Sequence, residues 1–201
     1  MTAPLVLACG ALVSELRAVL AADGLTEHVE VRYLPANFHN RPDRIVPALR
    51  EALDELDPHG DREVLIGYAD CGTGGRLDQL LAERPNLRRL PGDHCYQFFT
   101  GEDFTALAEE EVGTFFLTDF LAKHFEAIVW QGLRLDRHPE LLPAYFGNYT
   151  RLVLLTQTER DDVLAAGRGA AERLGLRFEH RHTGLGAFAD AVHVTIRKAQ
   201  V

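Results

Sequence analysis

The chain contains one serine, Ser14, which falls in an early helix pattern, so no GxSxG nucleophile elbow is present. Its only lysines are Lys123 and Lys198, and neither follows a glycine, which removes the Walker A loop. Schiff-base and P-loop chemistry both fall away. Basic charge is also scarce: the formal charge is −9, and no basic patch stands out to track a phosphate backbone, which argues against nucleic acid as a partner. No apolar stretch approaches the roughly 20 residues needed to span a bilayer. The amino-terminal MTAPLVLACGALVSEL has no basic n-region and runs straight into a strand pattern, so it does not read as a signal peptide. A soluble, cytoplasmic protein is expected. The three cysteines are odd in number and contain no CxxC, so they make no disulfide framework. Reduced thiols are then available for metal binding or nucleophilic work.

What is present begins with size and apolar content. The 201 residues, 46% hydrophobic, suit a single globular domain over 1–201. Short apolar runs predict strands at Pro4–Ala8, Val29–Leu34, Val64–Tyr68, Leu87–Leu90, Leu152–Thr156 and Arg177–His182. Helical spacing predicts helices at Ala11–Ala22, from Pro42 to Leu56, and at Arg76–Glu83, Phe104–Glu110, Phe115–Phe125 and Asp161–Leu174. Ala127–Leu133 reads as a strand or a helix end, and the chain after Gly186 as a tail. Strands alternating with helices imply an α/β fold, a mostly parallel sheet with helices on both faces.

The stretch EVLIGYADCGTGG, Glu63–Gly75, organises the reading. A buried strand opens there into a glycine turn and a helix, the place where α/β proteins bind ligands. Cys71 sits in that turn. Cys9 ends the first strand, His39 follows the second, and His94 and Cys95 follow the fourth. In a parallel sheet all of these reach the same, carboxyl, edge, where adjacent strands are about 4.8 Å apart. Each cysteine alone is as well explained by packing, because free cysteine is among the most buried residue types. Their shared position is what points to a site.

Thiolate-rich sites select zinc or iron–sulfur clusters. Cys9, Cys71 and Cys95, with His94, form the expected ligand set, and His39 and His138 are further candidates. Three cysteines with an open position suit a cluster; cysteines with a histidine suit zinc with an exchangeable site. The separations of 62 and 24 residues match no local metal-finger signature. Asp70 is placed to orient a histidine or a water, or else to serve as a helix amino-terminal carboxylate. Gly72 and Gly74 form a candidate cofactor cradle, although a tight turn explains them as well. Asn148, in the polar–aromatic Tyr145–Tyr149 cluster, is a candidate pocket residue. Cys71, with His94 and Asp70, is also the candidate catalytic group of a metal-free cysteine enzyme.

The segments LACGAL, FHN, YADCGTGG, GDHCYQFF, GTFFLTDFLA, HPELLPAYFGNY and LLTQT together resemble an uncharacterised bacterial and archaeal family of unknown function. The resemblance covers about residues 5 to 186. Genes of that family lie beside trimethylamine-type corrinoid methyltransferases and corrinoid proteins. The resemblance therefore implies a role in one-carbon, methylamine-type metabolism and a corrinoid protein or methyltransferase as partner. It supplies no catalytic residues. The expectation is a cysteine-ligated zinc or iron–sulfur protein acting on a small molecule by methyl transfer, its activation, or hydrolysis. The alternatives are a non-catalytic partner of a corrinoid protein and the metal-free enzyme using Cys71.

Overall fold

The computed structural model describes residues 3–101 and 103–197. The chain divides into two compact units, Met1–Phe98 with Ala187–Val201, and Phe99–Gly186. Its class is α/β as expected, and the strands form two sheets whose recorded pairings are all parallel.

The first unit carries β1 (Leu5–Cys9), β2 (Glu30–Leu34), β3 (Val64–Gly67) and β4 (Leu87–Arg89) in the order β2-β1-β3-β4. The chain leaves β1 for one side and returns to place β3 on the other. The carboxyl ends of β1 and β3 therefore flank the switch in strand order, where open parallel sheets bind their ligands. Burial on both faces explains why β1 and β3 read as continuous apolar runs. Leu5, Leu7, Val64 and Ile66 form one face, packed with Leu49 and Leu53 of α2 (Ile45–Leu56) and Leu77 and Leu80 of α3 (Arg76–Glu83). Val6, Ala8 and Leu65, on the opposite face, are buried as well. Each such valine, leucine or isoleucine side chain contributes about 1.5–3 kcal/mol by leaving water.

At the carboxyl end of the β1–β3 pairing, Ala8 lies opposite Gly67. A β-carbon on Gly67 would stand 2.7 Å from the Ala8 β-carbon and 3.0 Å from its α-carbon. Only glycine permits that approach, one residue short of where Cys9 emerges.

The second unit holds β5 (Thr114–Thr118), β6 (Arg151–Thr156) and β7 (Arg177–His182) in that order. Central β6 is buried throughout, and α8 (Asp161–Leu174) packs on it through Gly167, which closes on Leu154. The Arg151 guanidinium, 2% exposed, is neutralised by Glu179 at 2.9 Å and bonded to Thr114 at 3.0 Å. At the other end of the sheet, the Asp119 carboxylate accepts the backbone N–H groups of Gln157 and Thr158, both at 3.0 Å.

Three local readings change. Thr114–Thr118 is a strand where the sequence suggested helix from Phe115, and the helix that follows, α6, covers only Asp119–Lys123. The aromatic and β-branched run TFFLT prefers the pleated surface, and pairing with β6 settles it. The stretch Ala127–Leu133, read as a strand or a helix end, overlaps a π-helical turn at Glu126–Trp130. The expected tail contains a helix, Gly186–Arg197, whose Phe188 ring lies 5.4 Å from that of Phe98.

Replacing Gly67 by Ala is expected to lower stability by about 1–3 kcal/mol, the usual cost of overpacking against rigid neighbours. Urea denaturation of the purified variant measures it.

Candidate functional site

The sheet topology brings the cysteines to one edge. Cys9 closes β1; Cys71 lies in the turn after β3; Cys95 opens a short helix, Cys95–Thr100, after β4. Two backbone bonds extend the β3–β4 alignment past the strands: Asp70 N–H donates to Gly92 O at 3.1 Å, and Cys71 N–H to Asp93 O at 2.8 Å. These bonds hold the Cys71 turn beside the loop that carries His94 and Cys95. On the far side of β1, the β2 loop carries His39, whose pKa is lowered by desolvation and then by His94, so the two rings lie near each other. All five residues expected at this edge therefore lie on neighbouring loops of one sheet.

Cys71 has φ of +49°, and Gly72, Gly74 and Gly75 follow at +80°, +64° and +80°. A cysteine in the left-handed region is strained, and strain of this kind persists where the surrounding structure demands it. Here the demand comes from Asp70. Its Oδ1 accepts the Thr73 hydroxyl at 2.6 Å and the Gly75 N–H at 3.0 Å, and its Oδ2 accepts the Gly74 N–H at 3.1 Å. Asp70 is thus the knot of the turn. The Gly74 and Gly75 N–H groups are engaged by this carboxylate, as in a tight turn. Gly72 instead packs with its backbone toward Pro42. Burial alone would raise the Asp70 pKa, but bonds from Thr73, Gly75 and Gly74, with the Arg89 charge, hold it below the ordinary carboxylate value.

The three thiols are partly accessible, neither sealed in the core nor on the open surface. Desolvation raises the pKa of each. For Cys9 that effect outweighs the Ala11 N–H, which reaches its sulfur at 3.5 Å, and contact with the Tyr68 hydroxyl. Cys71 is pushed up to about 12, by burial first and then by Cys9. Cys95 is raised by burial, then by Cys71 and Cys9. Each thiol thus lies within the electrostatic reach of the other two. Near pH 7 all three are neutral, which removes the support for Cys71 as a metal-free nucleophile, since reactive cysteines have depressed pKa values. His39 is open to solvent at its surface, yet enough protein surrounds the ring that desolvation, and then His94, lower its pKa.

The remaining candidates stand differently. Asn148 belongs to the second unit and is exposed. His138 is exposed and pairs with Glu140 at 3.1 Å. Among the described residues, no three His, Cys, Asp or Glu side chains are arranged to hold a metal ion. The thiols are gathered but not turned onto one centre. Sequence reasoning passed over Tyr68, whose side chain lies at this edge; the alternation of apolar residues along β3 carried it as a packing residue.

The raised thiol values have a sign for stability. A thiol kept neutral by the fold contributes stability that is present below the ordinary thiol pKa of about 8.5. It is lost as pH rises toward the folded value, about 12 for Cys71. Metal-free reduced protein should therefore lose stability steadily above about pH 8.5, and the slope should shrink in Cys71→Ala. Denaturant titrations across pH 7–11 check this, and iodoacetamide labelling of the native protein near pH 7.5 should be slow at all three sites.

No curated protein and no solved structure matches this chain. A family described as proteins of unknown function, DUF1638, matches residues 33–192, which include Cys71, His94 and Cys95 and leave Cys9 outside. Over that span, most of its length, the chain belongs to the DUF1638 family.

Proposed function

We propose that this protein binds a soft metal ion or cluster, zinc or iron–sulfur, through Cys9, Cys71 and Cys95, with His94 as the candidate fourth ligand. One observation carries the reading: three thiols from three adjacent strand ends share one electrostatic environment beside the switch in strand order. Desolvation, reinforced by the neighbouring sulfurs at Cys71 and Cys95, keeps them protonated while no cation is near. A soft cation reverses both effects, because coordination deprotonates a thiol outright. The donor chemistry therefore fits such an ion, although the side chains must rotate toward a common centre. The left-handed Cys71 turn is held by Asp70 and continues into Gly72, which carries no side chain.

When bound, the metal would act as a Lewis acid or a redox centre at the mouth of the sheet. The protein's part is to align three sulfurs by the β1, β3 and β4 ends, and to keep His39 neutral near His94 by desolvation. A substrate would approach from the carboxyl edge, since the thiols are partly open there. The role in one-carbon, methylamine-type metabolism, with a corrinoid protein or methyltransferase as partner, is supported by the sequence resemblance. On that reading the centre serves methyl transfer or its activation.

Protein purified without oxygen is expected to carry stoichiometric zinc, or iron with a broad visible absorption band. Alanine at any one of the three cysteines should weaken metal binding by more than the roughly 10–100-fold that an outer-shell change costs. Elemental analysis and an absorption spectrum decide the matter. A metal-free protein that gains no metal on reconstitution would sink the reading.

A further inference from the structure

Tyr68 is the first residue beyond β3, and it is 2% exposed. Its hydroxyl is buried and lacks a hydrogen-bond partner of acceptable geometry. Leaving such a group unpaired is costly, so a native fold that keeps one calls for a reason.

The strand register supplies it. Leu5 faces Val64 and Leu7 faces Ile66 across the β1–β3 pair. One further step of the same alternation sets Cys9 beside Tyr68, on the same face of the sheet. Tyr68 belongs to the apolar cluster of that face, and Cys9 and Cys71 pack against it. The hydroxyl interacts with both sulfurs, with Cys9 the stronger influence. A neutral thiol is a weak acceptor, whereas a thiolate is a charged and strong one. The Tyr68 hydroxyl is therefore poorly satisfied only while Cys9 keeps its proton.

We propose that Tyr68 is a positioning residue of the thiol centre, donating its phenolic hydrogen to Cys9 Sγ when that sulfur is held as a thiolate by a soft cation. The inference rests on the reading of the cysteines as metal ligands and adds to it the group that orients one of them. A bond of this kind fixes the direction of the sulfur and draws electron density from it, as outer-shell partners do at other metal sites. It also explains why a tyrosine occupies a position where phenylalanine would fill the same space without an unpaired hydroxyl.

Cobalt(II) is the probe, because its bonds to thiolate absorb in the near ultraviolet. Reduced wild type, Tyr68→Phe, Cys9→Ala and the double variant are titrated with cobalt(II) alone, and zinc competition gives the zinc affinity. Tyr68→Phe removes one oxygen atom. It should weaken binding by about 10–100-fold. It should also move the sulfur-to-metal band to longer wavelength, since a thiolate without its donor gives up electrons more easily. In the Cys9→Ala background the band shift should vanish. Equal affinity and an unchanged band in Tyr68→Phe would overturn this inference while leaving the metal reading intact; a wild type that binds neither cobalt nor zinc would overturn both. Should Tyr68→Phe fail to fold, the wild type answers alone. Zinc loading should then produce a red-shifted tyrosine difference spectrum that is lost in Cys9→Ala, and its absence in wild type would overturn the inference.

Discussion

The close approach of β1 and β3 at Ala8 and Gly67 is the constraint on which the candidate site depends. Backbone packed so tightly leaves no slack in the last residues of either strand, so the direction in which Cys9 and Tyr68 leave the sheet is set by strand pairing. The apolar faces on both sides of these strands hold the pairing in register, because a one-residue slip would turn Leu5, Leu7, Val64 and Ile66 away from α2 and α3. The thiol cluster is thus a consequence of how the core is built, and the loops add only the final placement.

That placement is made by the carboxylate of Asp70. Asp70 collects three donors from the residues that follow it, and in doing so forces Cys71 into the left-handed region. Two backbone bonds then tie this turn to the loop of Cys95. The resulting cluster is electrostatically incomplete. Burial raises all three thiol pKa values, Cys9 adds to that of Cys71 and both add to that of Cys95, and a buried phenol beside them has no good acceptor. Both features have the same remedy, a positive charge among the sulfurs, and this shared remedy links the metal reading to the role assigned to Tyr68.

Much of this edge was legible from residues alone. EVLIGYADCGTGG reads as strand, turn and helix because a short apolar run, then glycines, then an amphipathic octapeptide allow little else, and Val64–Gly67 and Arg76–Glu83 follow that reading. Strand Thr114–Thr118 was hidden because Phe116, Phe120 and Leu121 also fit helical spacing, and only pairing with β6 separates the two. The helix Gly186–Arg197 was hidden because its second half is rich in β-branched residues that suit a strand as well, and docking of Phe188 on Phe98 settles the local ambiguity. The glycine turn was open to two readings, anion cradle or tight turn. Which one holds depends on where the Asp70 oxygens point, and no spacing rule carries that information.

By itself the sequence determined the α/β class, the parallel strands and the strand-end position of every cysteine, because hydrophobic periodicity and glycine turns act locally. It also determined which motifs the protein lacks, a GxSxG nucleophile elbow and a Walker A loop. Tertiary structure alone decided the strand order β2-β1-β3-β4, the division of the strands between two sheets, and the consequence that Cys9, Cys71 and Cys95 feel one another. Strand order arises from which apolar faces bury one another best over long sequence separations. Thiol pKa values arise from the desolvation and neighbouring charges that this packing creates. Neither quantity exists until the chain has folded.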